Sequence, residues 1–355
     1  MRWQSFHVFY GGDQDRLVAE GVRPLFAALA GELGPGHRAY FVRHWRRGPH
    51  LRLNLLTRPG GTDLARQAVD EHMKAFLAAA PSTAPRRPEA EMALHRRLAE
   101  LEGEPGPLAP WAPDNSVEEA PYAGPRTYGG ASVAAGLLAE HLAATTPLAF
   151  DIAGHVMAGG RRLAVAFDLM ITTAGLLGGG LSAGLVSFRS HAEAFLATWP
   201  EGDGRRDLWD GHFAAHEADL VERTRRLATP GAAPFTRAWS RALTAYARRA
   251  RAELRAGRLR VDGDDSGWEG PEPGSPFHRA LAAERGWPEL RDSATFAMNR
   301  LLLNATYSEL TRLGVTPAER FLLCHLAAGA GERVCGVTAL DALRQSTGGE
   351  RREDA

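Results

Sequence analysis

The sequence predicts an α+β chain: an N-terminal sheet layer containing a β-hairpin, packed with a larger and mostly helical C-terminal part. Three observations carry this expectation. Apolar residues alternate with period two on both sides of Gly48-Pro49. Apolar residues recur at helical spacing in Asp15–Leu33 and Asp63–Ala79, on either side of that hairpin. After Pro147 the pattern is almost wholly helical.

The elements follow in order. Trp3–Tyr10, WQSFHVFY, reads as a strand ended by Gly11-Gly12-Asp13. A helix over Asp15–Leu33 stops at the Gly-Pro-Gly of 34–36. In Tyr40–Thr57, YFVRHWRRGPHLRLNLLT, residues Tyr40, Val42 and His44 alternate with Phe41 and Arg43. Beyond the turn, Leu51, Leu53 and Leu55 alternate with Arg52 and Asn54. The pattern is read as one apolar face and one face carrying Arg43, Arg52 and Asn54. Such a row is either a solvated face or a floor for anions and carbonyls, because arginine offers a planar fork of donors. Asp63–Ala79 is a helix, 80–90 a loop and Glu89–Glu102 an amphipathic helix. Gly103–Arg126 is proline-rich and reads as a long irregular loop, a common place for function. Helices are then expected over Ser132–Ala144, 147–157, 161–177, 181–198, 208–228, 234–256, Asp292–Leu313 and Pro317–Ala328. The expected organisation is one domain over 1–345 (sheet layer 1–80, connecting loops and helix 81–130, helical part 131–345). A disordered tail is expected over 346–355.

Composition excludes several classes. The 355 residues carry 42 basic and 42 acidic side chains, so no global field draws in nucleic acid or an anionic membrane. Two cysteines argue against a disulfide scaffold and a cysteine-based zinc site, and fit a reducing cytoplasm. No signal peptide is visible. Leu169–Phe188 lacks charge and is long enough to span a bilayer, but five glycines interrupt it; two buried elements with a glycine break are expected instead.

There is no phosphate loop, dinucleotide fingerprint, His-Glu-x-x-His or Gly-x-Ser-x-Gly. His212 and His216 lie one helical turn apart without an obvious third ligand, and His191/Glu193 come no closer to a metal set. The Asp-Gly-Asp-Asp run after Val261 lacks the terminal acid of a calcium loop. Four clusters remain. Arg52 and Asn54 share the hairpin. Tyr122, Arg126 and Tyr128 precede Gly129-Gly130, which is either a helix entrance offering free N–H groups or a glycine-assisted turn. Ser293, Asn299, Tyr307 and Glu309 lie on a late helix, either as a site or as a polar stripe. Ser187-Phe-Arg-Ser190-His191-Ala-Glu193 holds an imidazole that titrates near neutrality, or is simply amphipathic.

The order of these features resembles the elimination domain of class I lantibiotic dehydratases and their stand-alone thiopeptide-type relatives. Its carriers are the early Trp3, Tyr40-Phe41-Val42-Arg43, Gly48-Pro49-His50-Leu51-Arg52-Leu53, Tyr128-Gly129-Gly130 and Ser293–Leu301, spread over nearly the whole chain. Three departures matter. Glutamate-eliminating members carry Arg-x-Arg after the hairpin His, where this chain has Arg52-Leu53-Asn54. They place Arg directly before the YGG, where this chain has Thr127. They carry a catalytic His before the late Met, where this chain has Thr295 and Phe296. Expelling glutamate requires cations for the leaving carboxylate and a base for the Cα proton, and most of that set is missing.

These losses, and the SFRSHAEAFL stretch, resemble the pyridine synthases of thiopeptide biosynthesis. The resemblance implies a formal aza-[4+2] joining of two dehydroalanines, followed by loss of water and of the leader peptide. It implies Ser293, Tyr122, His191, Asn299 and Tyr307 as catalytic donors and acids. It implies Arg52, Asn54, Arg43, Arg126, Tyr128, Ser190 and Glu193 as substrate-binding groups. No metal or redox cofactor is expected. The expected partner is a modified precursor peptide, leader plus dehydrated azole-bearing core, with association with other biosynthetic enzymes and a cytoplasmic location. The alternatives are a split glutamyl-elimination lyase and a non-catalytic leader-binding subunit.

Overall fold

A five-residue turn, Trp45–Pro49, sets the register of the N-terminal sheet. Arg47 and Gly48 both adopt positive φ (63° and 106°), and Gly48 N–H donates to the Trp45 carbonyl at 3.0 Å. The flanking strands, β2 (Arg38–His44) and β3 (His50–Thr57), pair antiparallel with His44 opposite His50. The computed structural model describes residues 1–34, 36–85, 87–102, 106–125, 132–198, 202–229, 231–259 and 275–349. The chain divides into two compact units: Met1–Gly124 with Leu142–Gly160 and Thr311–Gly314, and Pro125–His141 with Arg161–Leu310 and Val315–Ala355.

In the first unit, β1 (Arg2–Phe9) lies between β3 and β4 (Ser116–Ala120), giving an antiparallel sheet of order β2-β3-β1-β4. The strand β4 corrects the expectation of an irregular loop over 103–126. Its Val117 follows Ser116 and is followed by Glu118 and Glu119, so no apolar alternation announces it, and pairing with β1 supplies the order.

Directly paired residues share a face. Leu53 lies opposite both Phe6 and Phe41, and Leu51 opposite both Val8 and Arg43. Arg43 therefore shares the apolar face and not that of Arg52 and Asn54, which corrects the sequence-based face assignment. The odd-length turn fixes this parity. Phe6, Val8, Phe41, Leu51, Leu53 and Leu55 are buried. A helical run covers them: α1 (Gln14–Arg16), a π-helical turn (Leu17–Val22) and α2 (Arg23–Leu33), together with α3 (Thr62–Ala79). Phe150 stacks on Phe41 at 5.7 Å between ring centroids. Arg43 is a bolt within this unit: Nη2 donates to Asp15 Oδ1 at 2.5 Å and Nε to the Arg312 carbonyl at 2.8 Å. The peripheral α4 is Pro88–Glu102.

One helix, α5 (Ser132–Met157), replaces the two expected around Pro147. The proline leaves the Ala143 carbonyl without its helical N–H. Side chains reinforce the neighbouring backbone: the Leu142 carbonyl accepts from Thr146 Oγ1 (2.8 Å) and Arg312 Nη1 (2.6 Å). Within the described residues, Val133–Met157 is the one helix long and apolar enough to cross a membrane, and 61% of its apolar window is buried inside the protein.

The second unit is helical: α6 (Arg162–Ala174), α7 (Gly180–Thr198), α8 (Gly202–Leu227), α9 (Thr236–Arg255), α10 (Pro276–Ala283), α11 (Trp287–Arg291), α12 (Ala294–Arg312), α13 (Pro317–Cys335) and α14 (Ala339–Gly349). The uncharged stretch after Asp168 is the end of α6, a break at Gly175–Gly179 and the start of α7, as expected. Helix α13 runs to Cys335, past the predicted end at Ala328, and α14 extends to Gly349, into the segment assigned to the tail. Residues Leu323–Gly331 of α13 are all buried, the mark of a central helix. Gly331 permits close approach to α7, because a Cβ there would lie 2.0 Å from Leu185 Cδ2. A Thr316–Glu319 capping box starts α13.

Candidate functional site

Among the described residues each unit carries a polar cluster that holds candidate site residues. In the first, the sheet face opposite the apolar core presents Trp3, His7, Tyr40, His44, His50, Arg52, Asn54 and Glu118. His50, 1% exposed, is held through Nδ1 by the Gly48 carbonyl at 2.9 Å. That bond requires Nδ1 to carry the proton, which leaves Nε2 to accept from Arg52 Nε at 3.4 Å. The motif GPHLRL is thus a device that closes the turn and holds the Arg52 guanidinium. His7 stacks on His50 at 4.8 Å. Burial, then the Arg52 charge, pushes the His7 pKa down to about 3, and burial also depresses His50, so both rings are neutral at pH 7.

Beside them, Tyr122 stacks on Trp3 (centroids 5.1 Å, planes 10° apart), and its hydroxyl meets Tyr40 OH at 3.0 Å. Burial raises the pKa of both phenols, so each is a neutral donor. Asn54 is buried, with Nδ2 directed at the Arg52 carbonyl at 3.4 Å. Arg126, Tyr128 and the Gly129-Gly130 pair lie outside the described residues, as does the Asp-Gly-Asp-Asp run.

In the second unit, α7 supplies Ser190, His191 and Glu193. His191 Nδ1 lies 2.6 Å from Tyr307 OH, which lies 3.3 Å from the buried Cys324 Sγ. Burial first, then the charges of Arg320, His278 and Arg300, lowers the His191 pKa to about 4. Burial pushes the Cys324 thiol up to about 12. Both are neutral at pH 7, so a consistent chain has Cys324 S–H donating to Tyr307 and Tyr307 O–H donating to His191. The Arg320 guanidinium lies 5.3 Å from the Tyr307 ring centroid. Ser190 Oγ meets His278 Nε2 at 3.0 Å. Glu193 is buried and held by Arg206 through two bonds of 2.9 and 2.6 Å. Its carboxylate is therefore already engaged.

The late helix contributes differently. Ser293 caps α12: its hydroxyl donates to the Leu290 carbonyl (2.7 Å) and accepts the Phe296 N–H (3.1 Å). Asn299 clasps the Gly178 backbone, accepting its N–H at Oδ1 (2.9 Å) and donating to its carbonyl (3.3 Å). Of the sequence-derived set, His191 and Tyr307 are joined directly, while Ser293 bonds local backbone, Asn299 bonds the distant Gly178 backbone and Arg43 is internal to the first unit. Tyr40, His50, His278 and Cys324 were missed. His50 stood inside a recognised motif, whereas His278 is 88 positions from Ser190 and gives no local signal.

Among the described residues no three His, Cys, Asp or Glu side chains are placed to hold a metal ion. A separate cavity of about 210 Å³ lies among Arg189, Asp210, His325 and Glu332. Its lining groups are partnered, Arg189 in an ion pair with Glu332 and His325 Nε2 3.0 Å from Asp210 Oδ1.

The family described as "Lantibiotic biosynthesis dehydratase C-term" matches residues 3–330. The chain is similar to the solved structure of "Pyridine synthase, TbtD, from thiomuracin biosynthesis" (39% identity, TM-score 0.78, covering 95% of this chain and 99% of that one). It shares its fold with TsrL (21% identity, TM-score 0.72, covering 97% and 98%). It also shares it with the tRNA-dependent lantibiotic dehydratase MibB from Microbispora sp. 107891 (14% identity, TM-score 0.52), of which it spans 28% while 94% of this chain is covered. No curated protein matches. The chain therefore belongs to the lantibiotic dehydratase C-terminal family and is a thiopeptide-related, dehydratase-like protein.

Proposed function

We propose that this protein is a pyridine synthase acting on a dehydrated, azole-bearing precursor peptide. The observation that carries the reading is full-length likeness, at 39% identity, to a pyridine synthase. The geometry is compatible in chemical terms. One dehydroalanine, with the amide carbonyl before it, tautomerises to a 2-azadiene, and the second supplies the two-carbon partner. That demand is mainly one of orientation, worth up to about 7–11 kcal/mol in favourable cases. The phenols Tyr40 and Tyr122 are neutral at pH 7 and bonded to each other, so the pair keeps one O–H to donate to a carbonyl that becomes an imidic acid. Neutral His191, whose Nδ1 accepts from Tyr307, keeps its other ring N–H as a donor in a cationic surrounding. Arg52, held by His50, is a carbonyl or leader-carboxylate ligand. Water loss and leader expulsion then give the aromatic ring.

The test is incubation with a dehydrated, azole-bearing core still joined to its leader, followed by mass spectrometry. The expected result is a macrocycle smaller by the mass of water and leader, plus an intact leader amide. Loss of glutamate from a glutamylated serine would establish an elimination lyase instead. Tight leader binding without mass change would establish a binding subunit.

A further inference from the structure

We propose that Ser190, His278 and Ser275 form a hydroxyl–imidazole–hydroxyl proton relay whose Ser190 end serves the elimination steps of the reaction. The assignment of those steps rests on the pyridine-synthase reading; the relay itself rests on geometry. His278 sits in the first turn of α10, and Ser275 is the N-cap of that helix. Ser275 Oγ accepts the His278 backbone N–H at 3.2 Å and lies 2.7 Å from His278 Nδ1. Ser190 Oγ, on α7, lies 3.0 Å from the opposite ring nitrogen, Nε2. Both ring nitrogens are therefore engaged by hydroxyls, and the cap fixes the ring against rotation.

The burial is graded. Ser275 is 2% exposed, whereas Ser190 and His278 are half-buried. The orienting end is sealed and the acting end is reachable, the arrangement of a base held by a third group. With Nδ1–H donating to Ser275, Nε2 is the acceptor for the Ser190 proton. Around the imidazole stand Glu193 on α7, paired with Arg206 on α8, and neutral His191. The Glu193 carboxylate favours the transient imidazolium, opposing the burial that disfavours it.

Proton bookkeeping suits an elimination. In aromatisation a ring C–H bond breaks and its electron pair forms the ring double bond. The C–N bond to the leader breaks, and the leader nitrogen departs with that pair. Ser190 Oγ takes the ring proton as its own proton passes to His278 Nε2. The reverse transfer gives one proton to the departing nitrogen. One proton has moved from carbon to nitrogen, and the relay is restored without a co-reactant. Water loss has the same balance once the ring imine has tautomerised to its enamine, a ring C–H proton moving to nitrogen: the ring N–H proton then goes to the leaving hydroxyl.

The experiment uses the full chain and the leader-bearing dehydrated peptide. In Ser190→Ala and His278→Asn, pyridine formation is expected to fall by at least about 100-fold, with accumulation of a cyclised, leader-bearing intermediate. Peptide affinity is expected to stay within about 2-fold. Ser275→Ala should also be slow, while Ser275→Asp, which keeps the cap and an Nδ1 acceptor, should recover most of the rate. Wild-type rates in Ser190→Ala and His278→Asn overturn the relay. If the wild-type protein makes no pyridine, the functional reading fails and the relay is judged by nitrogen NMR of His278. An Nδ1–H tautomer that Ser190→Ala perturbs supports it, and an imidazole indifferent to that change overturns it.

Discussion

His191 makes the fold acid-sensitive by an amount that can be worked out. Its folded pKa of about 4 lies below the ordinary 6.5 because the ring is desolvated and faces the charges of Arg320 and Arg300. Between those values the unfolded chain binds a proton that the folded chain does not. Stability is therefore full above pH 6.5, falls as pH drops, and has lost this contribution once pH passes 4. The gap of about 2.5 pH units corresponds to about 3 kcal/mol. The perturbation is His191→Gln, which removes the titration while its amide oxygen can still accept the Tyr307 hydroxyl. Urea unfolding of both proteins at pH 7, 6, 5 and 4.5 gives the stability difference at each pH. Other buried imidazoles, His7 and His50 among them, remain in both proteins and cancel. The difference should shift against wild type by about 2–3 kcal/mol from pH 7 to 4.5. A difference constant to within about 0.5 kcal/mol, a typical error of the extrapolation, would refute the reasoning.

Three further outcomes follow from the geometry. Asn299→Ala breaks the two-point clasp on Gly178 and should lower stability by about 2–4 kcal/mol, read as a drop in urea midpoint. His50→Phe keeps the ring stack but removes the acceptor for Arg52, so under the proposed function it should weaken leader-peptide binding by about 5–10-fold, as Arg52→Ala should; unchanged affinity in a fluorescence titration would separate the two residues. Cys335 is exposed and Cys324 is buried with its thiol pushed up to about 12, so iodoacetamide should label one cysteine in the native protein and two in urea, as counted by mass spectrometry.

The hairpin and the helical second unit were legible because period 2 and period 3.6 are local properties. Parity was not. Arg43 looked like a companion of Arg52 by polarity, but the turn length pairs it with Leu51 and hands it to Asp15. Strand β4 escaped because its order comes from β1 rather than from its own residues. Pro147 argues for a helix break, yet the helix runs through it, with the neighbouring Leu142 carbonyl held by Thr146 of the same helix and by Arg312, distant in sequence. In the site, His191 was legible from its setting among polar groups on α7. Its link to Tyr307 spans 116 positions, and that of Ser190 to His278 spans 88; such contacts have no signature in one sequence.

The short strand β4 forms one margin of the sheet, and its third and fourth residues, Glu118 and Glu119, are acids. Arg47 of the turn holds Glu118 at 3.2 Å, and Arg66 of α3 holds Glu119 at 2.8 Å. A sheet margin is a template on which stray chains polymerise, and charge along it is a deterrent. The same two arginines tie that margin to the hairpin turn and to α3. Replacing both glutamates with valine would remove the deterrent together with the ties, turning a guarded border into a nucleus for aggregation.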